Sequence, residues 1–347
     1  MLRAARARRI AAATAFGGGG LTLVGAGTLA LLYLQARLAH RAVGVTEWKR
    51  PTVNGLHGQG AGPPIRMLMM GDSTAAGFAV ETAAQTPSVM LATGLSNAAE
   101  RPVRLRCTAF PGATSATLAD QAERSGALAE DTRYDVAVVF IGANDVIRRV
   151  PPGEAVADLR DTVRRLTERG TEVVVATCPD LGTVRPIGWP LRSVARRASR
   201  QLAAAQTIAV TEAGGRTVSL SDLLADEFRS DPSLMFGPDR FHPSAHGYAR
   251  AAFAVLPSMC TALGLLPEPD ALPDAGVLPV DRAAVVAAEN PGTEVSAAGD
   301  PAQGRRGRWS ALVRGPLAGL RGPLHGEAVP ADTGAPAEEP RSAPGDR

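Results

Sequence analysis

Short unbroken apolar segments alternate with longer amphipathic segments between residues 65 and 263, and this alternation restricts the fold more than any other feature. Residues 135–141 (Asp-Val-Ala-Val-Val-Phe-Ile) are the clearest apolar segment, and residues 154–169 place Leu159, Val163 and Leu166 on one helical face. An unbroken apolar strand is typical of a sheet covered on both faces, and strands separated by helices favour parallel pairing. The sequence therefore predicts a three-layer α/β/α sandwich with a parallel sheet.

The same patterns predict the individual elements and the limits of the folded part. The predicted strands are residues 65–70, 103–109, 135–141, 172–177 and 217–220, and the predicted helices are residues 87–98, 115–128, 154–169, 191–212 and 244–263. Residues 42–63 are rich in Gly and Pro and predict a stalk. Residues 267–347 are rich in Pro, Ala and Gly, which predicts a disordered tail after one domain at residues 64–266.

The N-terminal region has the composition of a membrane segment. Residues 10–36 carry no charge, which is long enough for a helix to span a bilayer core. Four arginines precede this run, whereas two follow it before residue 42, so the bias in positive charge predicts a cytoplasmic N-terminus and an extracytoplasmic domain. The length of the run favours an uncleaved signal anchor at residues 1–41 over a cleaved signal peptide, which would give a secreted protein.

Charge distribution bears on possible partners. Residues 1–50 carry a net charge of +7, so the rest of the chain is at −4, although the whole chain is at +3. A nucleic-acid surface needs basic residues clustered on the folded domain, and the acidic balance there argues against such a partner.

Polar residues recur where predicted strands end or predicted helices begin. They form four short segments: Gly71-Asp72-Ser73, Gly112, Gly142-Ala143-Asn144-Asp145 and Asp239-Arg240-Phe241-His242. The carboxyl ends of parallel strands are where such sheets present side chains to a ligand. The four segments together therefore predict one functional site.

Within that site, Ser73 has the side chain of a nucleophile, His242 that of a base, and Asp239 that of an acid that orients the base. The chain has five histidines, and only His242 and His246 belong to the predicted domain. Asp239 lies three residues before His242, a spacing that can place its carboxylate on Nδ1 while Nε2 faces the serine. Taken alone, Ser73 could equally be a helix N-cap.

Two further segments can supply hydrogen-bond donors to a developing oxyanion. The Asn144 side-chain amide and the Gly112 backbone N–H both follow predicted strands. Each residue taken singly is ordinary in a turn. Together with Ser73 they indicate an oxyanion hole.

A metal centre is the alternative use of the histidines. His242 and His246 are four residues apart and Asp239 is close by, but the domain has no further histidine to complete a shell. The three cysteines, Cys107, Cys178 and Cys260, match no metal-ligand spacing, and buried apolar packing is their default role. We therefore expect neither a metal nor another cofactor.

The motif segments resemble those of the SGNH (GDSL-type) hydrolase family, in family order and over about residues 65–265. The resemblance implies a flavodoxin-like sandwich, a catalytic triad of Ser73, Asp239 and His242, and an oxyanion hole of Ser73, Gly112 and Asn144. Two departures are that Thr74 follows the serine in place of the frequent Leu, and that His246 stands where the family often has a small or acidic residue. No G-x-S-x-G is present, so an α/β-hydrolase nucleophile elbow is excluded.

We accordingly expect a serine esterase or lipase-type hydrolase that forms an acyl-enzyme on Ser73 and cleaves a small-molecule, lipid or carbohydrate ester. The alternatives are an acyltransferase that acts on envelope sugars or lipids, and a non-catalytic anchored envelope-binding module. Residues 180–190 could line an acyl pocket or form a satellite apolar cluster. Asp72 and Asp145 are interpreted as structural, and Asp120 and Asp180 as solvated.

Overall fold

The computed structural model describes residues 30–35, 37, 48–184, 187–220, 228, 230–266, 277–289, 294–297 and 310–314. The strands are β1 (Gly55–His57), β2 (Ile65–Gly71), β3 (Val103–Cys107), β4 (Val136–Phe140), β5 (Glu172–Ala176), β6 (Arg216–Val218), β7 (Val277–Pro279), β8 (Glu294–Ala297) and β9 (Ser310–Arg314). The α-helices are α1 (Ser73–Ala76), α2 (Pro87–Ala99), α3 (Leu118–Ser125), α4 (Ala143–Ile147), α5 (Pro152–Thr167), α6 (Leu191–Glu212), α7 (Pro232–Met235), α8 (Ala245–Ala262) and α9 (Val280–Glu289). Short 3₁₀ turns cover Ala83–Gln85, Ser115–Thr117 and Leu181–Thr183.

The strands form one mixed sheet in the order β1-β3-β2-β4-β5-β6-β8-β9-β7. The five central strands, β3 to β6 in that order, are parallel to one another. Their connection reverses direction between β2 and β4, as in flavodoxin-like sheets, and ligands bind in the crevice at such a switch point. The ends of β2, β4 and the neighbouring β3 are therefore where a site is expected.

The strands project apolar side chains from both faces of the sheet, and helices cover both faces, as the unbroken apolar strands predicted. In β2, Met67 and Met69 pack into one core cluster with residues of α2 and α8, whereas Leu68 and Met70 pack into a second cluster with residues of α3 and α5. Val138 and Val139 divide between the same two clusters in β4. The core therefore lies in two layers, one on each side of the central strands.

The structure contains every strand and helix that the pattern predicted, with most ends shifted by one to three residues. The helix predicted at residues 115–128 is instead a 3₁₀ turn followed by α3, which ends where Gly126 takes a left-handed conformation. The short helices α1, α4 and α7 were not predicted, because four or five residues are too few to show a helical period.

The prediction of a stalk at residues 42–63 is wrong for its second half. Gly55–His57 forms β1, which pairs antiparallel with β3 at the edge of the sheet. Val53 is buried, and the Asn54 side chain accepts a hydrogen bond from the Cys107 backbone N–H. These residues adopt a fixed conformation because they pair with the neighbouring strand, so no apolar period in their own sequence indicates it.

The prediction of a disordered tail from residue 267 needs correction, and the predicted parallel sheet has antiparallel strands at its edges. Strands β8, β9 and β7 extend the sheet antiparallel beyond β6. Val280, Ala283 and Ala287 of α9 pack with Val295 of β8, and Ile208 of α6 lies against them. Residues 267–276, 290–293, 298–309 and 315–347 lie outside the described part of the chain.

The predicted membrane anchor falls almost wholly outside the described residues. Residues 30–35 and 37 of it are helical, and residues 1–29 are not described. Among the helices that are described, none combines the length and the apolar character needed to cross a bilayer.

Candidate active site

Ser73 is the first residue of α1, directly after β2. Gly71 has a positive φ of 128°, and a Cβ there would lie 2.0 Å from the Phe140 carbonyl oxygen, so only glycine fits this approach of two strands. Asp72 caps the helix by accepting the Thr74 backbone N–H at 2.8 Å. The chain thus turns sharply, and the backbone N–H of Ser73 is among the helix N–H groups that have no partner within the helix.

His242 meets Ser73 across the fold. The Ser73 Oγ lies 2.9 Å from His242 Nε2, although the two residues are 169 positions apart. On the other side of the ring, Nδ1 lies 2.6 Å from Asp239 Oδ2. The three side chains therefore form one continuous hydrogen-bonded chain.

The turn that carries Asp239 and His242 is held by the same carboxylate. Asp239 Oδ1 accepts the backbone N–H groups of Phe241 and His242, each at 3.0 Å. Burial alone would raise the pKa of Asp239, but the hydrogen bond to His242, the Phe241 N–H and the proximity of the imidazole outweigh it, so the pKa is lowered. Asp239 is thus an ionised orienting group at neutral pH.

Two phenylalanine rings fix the plane of the imidazole, and the sequence patterns did not reveal them. The Phe78 ring centroid lies 4.4 Å from that of His242, and Phe241 meets the same ring edge-on at 4.9 Å. The buried Tyr248 hydroxyl in turn donates to the Phe78 backbone carbonyl at 2.8 Å. An aromatic residue beside the histidine, as in Phe241-His242, is the signal that could have suggested this packing.

The two predicted oxyanion donors, Gly112 and Asn144, lie in the segments that follow β3 and β4. Asn144 lies in α4 after β4, lines the same cavity as Ser73, and donates from Nδ2 to the Ala113 carbonyl at 3.0 Å. That bond links Asn144 to the turn that contains Gly112, whose φ of 82° is one that glycine adopts readily. Gly112 is not among the residues that line the cavity.

Asp72 and Asp145, interpreted as structural, are both buried beside the site. Burial raises the pKa of Asp72 to about 6, against the opposing effects of the Thr74 N–H and the nearby His242. Burial also raises the pKa of Asp145, which accepts hydrogen bonds from the backbone N–H and the hydroxyl of Ser115. Both carboxylates hold backbone in place, as interpreted.

A cavity of about 70 Å³ opens beside Ser73 and His242. Its walls are mainly apolar and include Leu181, Val184, Leu220, Phe228, Phe236 and Ala251. Leu181 and Val184 of the predicted loop therefore line the cavity, whereas Trp189 is 78% exposed.

The interpretation of Asp180 as a solvated residue is wrong. Asp180 is buried, and its Oδ2 lies 3.3 Å from Arg196 Nε and 3.1 Å from Arg200 Nε. Its Oδ1 accepts the Gly182 N–H and caps the turn Leu181–Thr183. Two arginines four residues apart on one helix face were the available signal.

Two buried glutamines join the strand ends around the site, and sequence reasoning missed both. Gln121 accepts the Gly71 N–H and donates to the Gly71 carbonyl, while Gln206 accepts the Cys178 N–H and donates to the Ile141 carbonyl. A polar residue on the apolar face of a predicted helix was the signal. Each amide satisfies backbone groups that a parallel sheet leaves open where its strands end.

The structure also shows where His246 and the three cysteines lie. His246 is exposed on α8, and within the described residues no group of His, Cys, Asp and Glu could hold a metal ion. All three cysteines are free and buried, as expected of small apolar residues.

Comparison with known proteins adds independent findings. The model of the GDSL-like Lipase/Acylhydrolase family matches residues 69–250. The GDSL-like esterase Rv1075c of Mycobacterium tuberculosis is 41% identical over 212 residues, which cover 58% of this chain and 67% of that protein.

Solved structures give weaker likenesses. Axe2, an acetylxylan esterase from Geobacillus stearothermophilus, is 20% identical with a TM-score of 0.43, over 59% of this chain and 95% of that one. A member of the lipolytic G-D-S-L family from Veillonella parvula is 16% identical with a TM-score of 0.41, over 54% and 94% of the two chains.

Proposed function

This chain belongs to the GDSL-like lipase/acylhydrolase family, and from that premise we propose that it hydrolyses carboxylic esters through an acyl-enzyme on Ser73. The observation that carries the proposal is the hydrogen-bonded chain from Ser73 Oγ through the His242 ring to Asp239. A nucleophile in contact with its base, and a base oriented by a third group, is the arrangement that serine catalysis requires.

The proposed reaction has two halves. His242 Nε2 takes the Ser73 proton as Oγ attacks the ester carbonyl carbon, and the imidazolium then gives that proton to the departing alcohol. In the second half a water loses a proton to Nε2 and attacks the acyl-enzyme carbonyl, and the proton returns to Ser73 Oγ as the acid leaves. Asp239 holds Nδ1 protonated throughout and stabilises the imidazolium without taking its proton.

The negative charge on the carbonyl oxygen needs donors that are already in place. We assign that role to the N–H groups of Ser73 and Gly112 and to the Asn144 amide. The bond from Asn144 Nδ2 to the Ala113 carbonyl supports this role, because it uses one amide hydrogen and orients the other.

Replacing Asn144 by alanine is expected to lower kcat by about a hundredfold or more, since one oxyanion donor is lost. The measurement is steady-state hydrolysis of a short-chain aryl ester. Asn97→Ala, which changes an exposed asparagine on α2, is the matched control and should leave kcat unchanged. An Asn144→Ala enzyme with normal kcat would remove this side chain from the proposed oxyanion hole.

The cavity beside Ser73 favours esters with short acyl groups. Its volume of about 70 Å³ is far below that of pockets for drug-sized ligands, roughly 300–1,000 Å³, and its walls are mainly apolar. A small apolar cavity excludes longer chains by overlap with its walls and excludes charged acyl groups by desolvation. The proposed substrates are therefore uncharged esters of short carboxylic acids.

Replacing Val184 by alanine removes two methyl groups from the cavity wall. We expect the relative kcat/KM for the next longer acyl chain to rise by roughly tenfold, because discrimination over one methylene is worth about 1–3 kcal/mol. A homologous series of p-nitrophenyl esters measures this ratio. Val285→Ala, at an exposed position of α9, is the control. An unchanged ratio in Val184→Ala would show that Val184 does not determine which acyl chains the cavity accepts.

A fluorophosphonate probe tests the nucleophile directly. The wild-type protein should be labelled once, at Ser73, and labelling should be lost in Ser73→Ala. Absence of labelling in the folded wild type, or equal labelling of the variant, would refute the proposed acyl-enzyme.

For location, we propose that the domain is extracytoplasmic and held at the membrane by an uncleaved anchor. The uncharged run at residues 10–36 and the excess of arginine before it support this arrangement. The full chain should remain with membranes after alkaline extraction, and external protease should reach the catalytic domain in spheroplasts. Release of the intact domain from membranes would indicate cleavage and secretion instead.

A further inference from the structure

Exposed apolar side chains lie on both of two segments that Gln35 joins, the N-terminal helical residues and the start of α6. Leu31 and Leu34 are 44% and 52% exposed, and Trp189 and Val194 are 78% and 51% exposed. We call these four residues the Trp189 surface. Large exposed apolar residues are unremarkable singly, whereas a group of them marks a surface that contacts something other than water.

Gln35 holds the two parts of this surface together. Its Nε2 donates to the Trp189 carbonyl at 2.6 Å, and its Oε1 accepts the Leu191 N–H at 3.2 Å. Leu31 lies four residues before Gln35, on the same helical face. The helical segment is therefore docked on the domain, close to Trp189.

Positive charge borders the apolar residues. The first half of α6 carries Arg192, Arg196, Arg197 and Arg200, and the helix has no acidic residue before Glu212. The first three of these arginines are exposed, and Arg196 reaches Asp180 while keeping 45% of its side chain accessible. Tryptophan and leucine beside arginine are the composition of a segment that lies in the headgroup layer of a bilayer.

The sequence before this surface indicates what covers it. Leu31 and Leu34 belong to the uncharged run of residues 10–36, so the membrane segment proposed above leads directly into the contact with Trp189. Arginine at the edge of the surface complements the negative charge of anionic lipid headgroups. A bilayer therefore accounts for both the apolar and the basic part.

We propose that the Trp189 surface lies in the headgroup layer of an anionic lipid bilayer and orients the catalytic domain on the membrane. The inference rests on the proposed anchor, and its link to the active site is short: Ile187 N–H donates to the carbonyl of Val184, a residue of the cavity wall, at 3.3 Å. Trp189 is not among the described residues that line the cavity. An ester dissolved in the headgroup layer would then reach the cavity without crossing bulk water.

The test uses tryptophan fluorescence of the full chain reconstituted in liposomes. The chain has three tryptophans, so the double variant Trp48→Phe/Trp309→Phe leaves Trp189 as the reporter. In phosphatidylcholine–phosphatidylglycerol liposomes whose acyl chains are brominated near the headgroup, we expect Trp189 emission to be quenched relative to unbrominated lipid. Quenching should weaken when phosphatidylglycerol is omitted, and equal quenching would refute the contribution of the arginines.

The control double variant, Trp189→Phe/Trp309→Phe, leaves Trp48, which packs on Phe78 in the domain and should stay unquenched. Quenching of Trp189 alone supports the proposal. Unquenched Trp189 in protein that floats with the liposomes overturns it and leaves the anchor and the esterase intact, and emission that instead depends on protein concentration identifies a second copy as the occupant. Protein that does not float refutes both the anchor and this surface, while hydrolysis of a water-soluble ester reports the proposed function separately.

A second readout separates membrane contact from folding. Trp189→Ser is expected to lower hydrolysis of an ester embedded in the liposomes and to leave hydrolysis of a water-soluble ester unchanged. An equal loss for both substrates would assign Trp189 a structural role and contradict the proposal.

Discussion

Ser73→Ala is expected to lower kcat for ester hydrolysis by about 10⁴- to 10⁶-fold, because removal of the nucleophile leaves only binding and oxyanion stabilisation. The hydroxyl of this residue lies 2.9 Å from His242 Nε2. Alanine keeps the backbone N–H of residue 73, so that donor stays available. The assay is single-turnover and steady-state hydrolysis of the best short-chain ester.

The fold should survive this change. Ser73 is the first residue of a four-residue helix, its side chain is small and buried, and alanine is a good helix former. Ser88→Ala is the matched control, because Ser88 is also a buried serine near a helix start and its hydroxyl lies 3.1 Å from Thr86 Oγ1. A Ser73→Ala enzyme within tenfold of the wild type would show that the hydrolysis does not depend on this hydroxyl.

Ser73 and Asn144 could be predicted to lie close together from sequence alone because strand topology restricts where turns can lie. Once residues 65–70 and 135–141 are interpreted as neighbouring parallel strands, the residues after both strands must share one edge of the sheet. The histidine was then selected by elimination, since only His242 among the domain histidines has an acid at a matching spacing. Contact over 169 positions needed no knowledge of the intervening loops.

Groups that complete the site could not be predicted in the same way. Phe78 and Phe241 enclose the imidazole from two different loops, and no period relates them. Gln121 and Gln206 appear in the sequence as polar interruptions of amphipathic helices. Each one forms hydrogen bonds with backbone groups of strand ends that are distant in sequence. Such contacts depend on tertiary distances, which local patterns do not contain.

The edges of the sheet were missed for a related reason. Three-residue strands such as β1 and β7 have too few positions for alternation to be visible, and they gain order from the strand beside them. Composition was also misleading in the C-terminal region, where a high content of Ala hid the apolar face of α9 formed by Val280, Ala283 and Ala287. Low complexity predicted disorder where small residues instead pack closely.

Asp239→Asn is expected to lower kcat by about 10⁴-fold while leaving the positions of Ser73 and His242 nearly unchanged. The amide keeps an oxygen that can accept the Phe241 and His242 N–H groups, so the turn should persist. It offers no negative charge to the imidazolium and no fixed acceptor for Nδ1–H, so the ring loses its preferred tautomer. Hydrolysis assays with a crystal structure of the variant measure both expectations, and Asp120→Asn, at an exposed position of α3, is the matched control.

The pH dependence of stability tests independently whether the Asp239 carboxylate is ionised in the folded protein. Folding lowers the pKa of Asp239 below the ordinary aspartate value of 3.8. The ionised carboxylate therefore stabilises the fold above pH 3.8, and this stabilisation is lost as the pH falls through the lower pKa of the folded state. The free energy of unfolding of the wild type should therefore exceed that of Asp239→Asn above pH 3.8, and the difference should shrink below that pH. Urea titrations at several pH values measure it. A difference that does not shrink below pH 3.8 would show that the ionised Asp239 carboxylate does not stabilise the fold, which contradicts its role as the ionised partner of His242.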